Sequence, residues 1–221
     1  MAMITSELFQ VGGGGFSSAE DAAIYLIHFE DQAALVDAGC GRSTKEVLAN
    51  VRSHGVALDQ IKYLLLPHCH FDHTGGAQAM RDLTGCEIVA HELDAQFLEN
   101  GDDAVTAASW YGESLDPFLV DIKLKGARNE MKLAGRLIEA IHSPGHSPGS
   151  MVYLVESEEQ RVLFGQDVHG PLHPGLLSNR KDYLRSLDFL LSQDADILCE
   201  GHYGVFRGRK EVSKFIRQFM D

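Results

Sequence analysis

The chain has 221 residues, of which 44% are hydrophobic and 23% are charged, with a formal net charge of −13. This length and composition are typical of one globular domain, so we expect a single domain over residues 1–221. The acidic balance disfavours nucleic acid as a partner, because such a surface repels phosphates.

The sequence also bears on the compartment. It contains no apolar run long enough to span a bilayer, and its start lacks the basic and apolar regions of a signal peptide. Its cysteines, Cys40, Cys69, Cys86 and Cys199, form no CxxC motif, which favours a reducing compartment. We therefore expect a cytoplasmic protein without a membrane partner that acts on a small molecule. The sequence is compatible with a homo-oligomer.

Strand-like and helix-like runs alternate along the chain. The first part predicts strands at 23–29, 33–39, 61–66 and 86–91, a helix at 43–55 with Ser43 as its N-cap, and a helix at 76–85 stopped by Gly85. The later part predicts strands at 136–143, 150–157 and 161–167 and amphipathic helices at 181–193 and 210–220. Residues 99–121 show no clear periodic spacing of apolar residues. Strands with interspersed helices predict sheets covered by helices.

The segment "PHCHFDHTGG", residues 67–76, concentrates coordinating side chains directly after the strand predicted at 61–66. His68 and His70 are two positions apart, so in an extended segment both imidazoles face the same way. Asp72 and His73 follow a turn and can face a second cation. Imidazoles and carboxylates are ligands for zinc, iron or manganese. One such histidine would suit an ordinary polar turn, but this concentration predicts a metal site.

Further coordinating residues follow other predicted strands. The loop "HSPGHSPGS" offers His142 or His146, and spacing alone leaves both open. Asp167 ends the apolar run in "FGQD", and His202 follows a buried run in "ILCEGHYG". Each would be an ordinary turn residue in isolation. Because all follow predicted strands, they can converge on one rim of the fold.

These motifs, in this order, resemble those of the metallo-β-lactamase superfamily. "HCHFDH" is similar to its HxHxDH signature, "HSPGHSPGS" to its PGH-containing loop, "FGQD" to its bridging-aspartate strand and "EGH" to its final histidine. The resemblance extends from about Gln10 to the C-terminus. It implies a four-layer αββα sandwich of two mixed β-sheets flanked by helices, with a dinuclear metal site at one edge.

The resemblance also implies roles for individual residues. It assigns two divalent metal ions, preferably zinc with iron or manganese as alternatives, to seven ligands: His68, His70 and His146 on the first, Asp72, His73 and His202 on the second, and Asp167 between them. Asp37 would contact a ligand rather than a metal. The family usually has Gly directly before the bridging Asp, whereas this chain has Gln166, which could point at substrate.

The activity implied is that of a metal-dependent hydrolase. A metal-bridging hydroxide would cleave an ester, thioester or lactone of a small molecule, and Asp72 would orient it or shuttle its proton. The chain resembles the catalytic domain of glyoxalase II, and we expect no C-terminal glutathione-binding helical domain because it ends soon after His202. The alternatives are a mononuclear iron enzyme similar to persulfide dioxygenases and a metal-binding protein without catalysis.

The roles of other residues near these motifs remain open. His169 and His173 are either rim contacts or surface histidines. Residues 101–117 form a connection long enough to be functional. We expect it to make a lid or pocket wall with Trp110 and Tyr111, or else a surface helix that packs both aromatic rings into the core.

Overall fold

The computed structural model describes residues 2–220, which form two mixed β-sheets. The first sheet contains, in spatial order, β1 (Ala2–Met3), β2 (Leu8–Gln10), β3 (Tyr25–Phe29), β4 (Gln32–Val36), β5 (Ile61–Leu65), β6 (Glu87–His91) and β7 (Ile122–Leu124). The second contains β13 (Val205–Arg207), β12 (Ile197–Cys199), β11 (Gln160–Phe164), β10 (Met151–Ser157), β9 (Arg136–His142) and β8 (Arg128–Leu133).

Helices cover the outer faces of both sheets. They are α1 (Thr44–Ser53), α2 (Phe71–Thr74), α3 (Ala77–Thr84), α4 (Glu92–Asn100), α5 (Arg180–Ser192) and α6 (Arg209–Arg217). Strands β4 to β7 are parallel, β1 to β4 are antiparallel, and in the second sheet β11 and β12 form the parallel pair. The predicted four-layer αββα arrangement is confirmed.

The alternation of side chains along buried strands produces the layers. On β5, Leu64 packs in the cluster shared with α1 and α3, whereas Leu65 packs in the cluster between the two sheets. In that inter-sheet cluster the rings of Tyr25 and Phe164 lie 5.6 Å apart. Because every strand with both faces covered buries apolar side chains on each side, these strands are nearly continuous hydrophobic runs.

Two local predictions are corrected. The helix α4 was not predicted, because it follows β6 without a Gly, Pro or Ser/Thr break and uses His91 as its N-cap. Strand β11 ends at Phe164, so Asp167 does not end the strand but lies in a turn beyond it, with a left-handed φ of 54°. Ser43 stands at the N-cap of α1 as predicted, although its side chain makes no capping hydrogen bond.

Candidate metal centre

The predicted site residues lie where strands of both sheets end at one edge of the sandwich. His68 follows β5, His146 lies between β9 and β10, and Asp167 and His202 follow β11 and β12. Carboxyl ends of parallel strands meet at the same sheet edge. The two sheets are joined there by hydrogen bonds, since the Tyr153 hydroxyl donates to the carbonyl after β5 at 3.1 Å. The sandwich thus brings distant segments together.

The first cluster consists of His68, His70, His146 and Asp167, all of them buried. His146 Nε2 lies 3.3 Å from His68 Nε2, 3.0 Å from His70 Nδ1 and 3.2 Å from Asp167 Oδ2. The donor atoms of this cluster are all within 4.8 Å of one another. Three imidazole nitrogens and one carboxylate oxygen therefore face a common point.

The second cluster consists of Asp72, His73 and His202. Asp72 Oδ2 lies 3.2 Å from His202 Nε2 and 3.5 Å from His73 Nε2. Asp167 Oδ1 lies 3.3 Å and 3.4 Å from the same two nitrogens. The carboxylate of Asp167 therefore presents Oδ2 to the first cluster and Oδ1 to the second.

The chemistry of these donors suits metal ions. Nitrogen and carboxylate oxygen donors are the ligands that zinc takes in proteins. His73 Nε2 and Asp167 Oδ1 are buried and have no hydrogen-bond partner among the described residues. Buried polar atoms without a partner are costly and rare. A cation between the facing donor atoms would satisfy both.

His142, the other histidine of the PGH-containing loop, is separate from both clusters. Its Nε2 bonds the carbonyl oxygen of Pro148 at 2.9 Å, and its ring stacks on His91 with the centroids 4.0 Å apart. The structure therefore decides between the two candidates that spacing left open, and places His146 in the first cluster.

The protonation behaviour of the imidazoles differs between the clusters. Burial and the neighbouring imidazoles lower the pKa of His68 well below its ordinary value, and lower that of His70 to about 3. Burial opposes charge on His202 too, but Asp167 and Asp72 raise its pKa to about 10. The imidazoles of His68 and His70 are therefore neutral at pH 7, as metal ligands must be.

Asp37 contacts a histidine of the second cluster, as the resemblance implied. Its Oδ1 lies 2.8 Å from His73 Nδ1, and the aspartate is fully buried. Accepting the proton of Nδ1 leaves Nε2 of His73 free to face the cluster. Burial raises the pKa of Asp37 to about 6, against the effect of His73.

Gln166 does not point at substrate, which corrects the suggestion made from the sequence. Its Nε2 donates to the Ala23 carbonyl oxygen at 2.8 Å and to Asp37 Oδ2 by a shorter contact. The side chain is buried behind the clusters. Because the extra residue before Asp167 has an amide donor, Gln166 holds the aspartate that in turn holds His73.

Glu200 is a site residue that the sequence reasoning missed. It is fully buried, its Oε1 bonds His169 Nδ1 at 2.8 Å, and its Oε2 accepts from the backbone N–H groups of His202 and Tyr203 at 2.7 and 2.9 Å. It thereby shapes the turn that carries His202. A glutamate directly after a buried run, beside a glycine, was the available signal.

A pocket of about 230 Å³ opens onto the clusters. His70, Asp72, Asp167, His169 and His202 form its polar side, and Ala107, Trp110, Tyr111, Pro171 and Leu176 form the other. His169 is thus a rim residue, whereas His173 packs edge-on against Trp110 at 5.3 Å.

Residues 101–117 form one wall of this pocket. The segment contains a short 3-10 helix at Ala108–Tyr111. Asp103 accepts hydrogen bonds from Leu115 N and Ser114 Oγ, both at 2.8 Å, so the segment is fixed by its own contacts. Trp110 is 56% exposed, which contradicts the alternative that both aromatic rings pack in the core.

Comparison with known proteins agrees with this geometry. The family model of the metallo-beta-lactamase superfamily matches residues 19–202. The chain belongs to this superfamily. A hydroxyacylglutathione hydrolase GloC of Haemophilus influenzae is 30% identical over 140 residues, covering 63% of this chain and 62% of the relative. An acyl-coenzyme A thioesterase MBLAC2 of Gallus gallus is 28% identical over 229 residues, covering 91% of this chain and 79% of the relative.

A solved structure shares the fold. The class B3 di-zinc metallo-beta-lactamase LRA-12 from an Alaskan soil metagenome has a TM-score of 0.76 and 25% sequence identity, covering 90% of this chain and 77% of that one. The chain thus spans less than two thirds of the GloC relative but most of the other two. Within residues 2–220, no helix is both long and apolar enough to cross a membrane.

Proposed function

We propose that this chain is a dinuclear metal-dependent hydrolase that cleaves thioesters of small molecules. The observation that carries the proposal is the position of Asp167, whose two carboxylate oxygens face two separate histidine clusters at 3.2 to 3.4 Å. Seven donors around two points exceed what one tetrahedral ion uses.

Two zinc ions are the cations we propose. The first ion would be held by His68, His70 and His146, and the second by Asp72, His73 and His202. Asp167 would contribute to both sites. The similarity to a di-zinc metallo-beta-lactamase supports zinc. When bound, such ions lower the pKa of water toward about 7 and polarise a carbonyl group.

The chain's own residues have separate tasks. Asp72 lines the pocket, so its carboxylate can orient the attacking water and accept its proton. Asp37 fixes the ring of His73 through Nδ1. The wall formed by residues 101–117 offers Trp110 and Tyr111 as apolar contacts for an acyl or leaving group.

Thioesters are favoured over other esters by the relatives. Hydroxyacylglutathione and acyl-coenzyme A, named for two of them, are both thioesters. The pocket of about 230 Å³ suits a small acyl group. Esters and lactones have the same carbonyl chemistry and remain substrates to be compared. The cytoplasmic location and the homo-oligomer stay predictions.

The test combines metal analysis with a substrate panel. Zinc-loaded protein should contain about two zinc ions per chain and hydrolyse acyl thioesters with a higher kcat/KM than matched esters and lactones. The Asp72→Asn variant should lose most of this activity, whereas Asp59→Asn, the same chemical change at an exposed site away from the pocket, should not. One iron ion per chain with oxygen consumption on a persulfide would contradict the proposal, and so would full loading without hydrolysis.

A further inference from the structure

Asp94, in the first turn of α4, is a buried carboxylate outside both histidine clusters. Its Oδ2 accepts hydrogen bonds from Cys69 N at 3.0 Å and from Ser147 Oγ at 2.6 Å. Its Oδ1 accepts from Gly149 N at 2.6 Å. These donors belong to two other segments, so the carboxylate connects α4 to both of them.

The two segments are those that carry the histidines of the first cluster. Cys69 lies between His68 and His70, and Ser147 directly follows His146. The segments are 78 positions apart along the chain at His68 and His146. One side chain therefore links the backbone segments that carry all three imidazoles.

The packing around Asp94 is close. A Cβ added at Gly149 would come within 2.6 Å of Asp94 N and 2.7 Å of its Cγ, so the loop can lie there only because residue 149 is glycine. Ser150 Oγ accepts from Ser147 N at 2.9 Å and lies 2.8 Å from Ser147 Oγ. This arrangement lets the Ser147 hydroxyl donate its proton to Asp94.

The position of Asp94 requires a side chain that only accepts hydrogen bonds. Three donors face the two oxygens of Asp94, and an ionised carboxylate is an acceptor at both. An asparagine would place an NH₂ group against either Gly149 N or the donors of Cys69 and Ser147. Burial raises the pKa of Asp94, whereas the hydrogen bonds from Ser147 and Gly149 lower it.

We propose that Asp94 is a positioning residue that holds the His68–His70 segment against the His146 loop, and so preorganises the first cluster for its cation. This inference rests on the proposed metal function. Asp94 touches none of the facing donor atoms and acts through the backbone on either side of the histidines. The second cluster, on α2 and the turn after β12, does not depend on it.

The experiment measures zinc affinity at each site in Asp94→Asn by competition with a chromophoric chelator, with cobalt(II) spectra to identify the sites. His146→Ala and His202→Ala supply the reference spectra with one site impaired. First-site affinity should fall about 10- to 100-fold, the usual effect of losing a partner that orients ligands, while second-site affinity changes less than about twofold. Glu92→Gln, which removes a charge and a surface ion pair with Lys125 from the same helix, should match the parent.

A purely structural role predicts a different pattern. Asp94→Asn would then lower the melting temperature equally with and without zinc and leave both affinities unchanged, which would overturn the inference. If Asp94→Asn does not fold, Ser147→Ala decides: a selective several-fold loss at the first site supports the inference, and parent-like affinity overturns it. A parent chain that binds no zinc refutes the proposed function itself, a result distinct from two sites that are merely insensitive to Asp94.

Discussion

The two clusters share Asp167 but differ in their surroundings. In the first, all four residues are buried, and the pKa values of His68 and His70 are lowered by burial and by neighbouring imidazoles. In the second, the side chain of His202 is 34% exposed, and the acidic groups raise its pKa to about 10 although burial opposes this. The first cluster is thus buried throughout, whereas the second contains the partly exposed His202 beside two carboxylates.

This difference indicates a division of work. The first cluster is supported by the hydrogen bonds of Asp94 on two loops, so its donors are held in place before a cation arrives. Both clusters reach the pocket, the first through His70 and the second through Asp72 and the more exposed His202. We expect the first cluster to hold its cation more firmly and the second to make more of the contact with substrate.

The largest effect should come from removing the residue common to both clusters. Losing a partner that orients a metal ligand costs about 10- to 100-fold, and losing the ligand itself should cost more. Asp167→Ala should therefore lower kcat/KM by more than about 100-fold. It should also reduce zinc content, measured on the purified protein by elemental analysis. Parent-like zinc content with mild loss of activity would mean that another group joins the clusters.

Changing one histidine in each cluster separates them. His146→Ala should weaken the first site and His202→Ala the second, each leaving about one zinc ion per chain because one of three ligands specific to that site is lost. Equilibrium dialysis against zinc, followed by elemental analysis, gives the count. If either variant retains two ions and full activity, the ligand assignment at that histidine is wrong.

Acid should affect the second site before the first. Nearby carboxylates raise the pKa of His202 to about 10 and also raise that of His73, so between pH 8 and 7 protons must be displaced for a cation to bind, and affinity should fall at least about tenfold per pH unit. His70, with a pKa of about 3, carries no proton over this range. Zinc titrations at several pH values test this, and an equal slope at both sites would contradict it.

Gln166→Ala should have a smaller effect, about tenfold on kcat/KM. The amide donates to Asp37, which holds His73, so the loss reaches the second site through two hydrogen bonds. Asp167→Ala measured in parallel is the reference. Equal and mild effects of the two changes would place the bridge at a residue other than Asp167.

The smallest effect concerns specificity. The double variant Trp110→Ala, Tyr111→Ala should change the ranking of kcat/KM across acyl thioesters by a few fold. Trp110 is 56% exposed and Tyr111 packs against Phe71 at 5.7 Å, so the stability loss should stay below about 2 kcal/mol. Denaturant unfolding and zinc content are the controls. An unchanged ranking with reduced stability would assign both rings to packing alone.

Much of the fold could be predicted because its strands are buried on both faces. Runs such as Ile61–Leu65 and Met151–Ser157 are apolar enough to be recognised locally. Strand β8, at Arg128–Leu133, escaped prediction because it lies at a sheet edge with exposed and buried residues mixed along it. Helix α4 escaped because no break separates it from β6.

The sequence by itself determined which residues carry coordinating groups and the order in which they follow strands. The spacing of the residues left His142 and His146 open, and the tertiary structure places His146 in the first cluster, as the family resemblance implied. Only the tertiary structure turned Gln166 toward Asp37 rather than the pocket and revealed Glu200 and Asp94. The physical reason is the distance along the chain between the residues that interact. Strand and turn signals depend on neighbours along the chain, whereas the partners of a buried carboxylate come from segments that meet only when the two sheets stack.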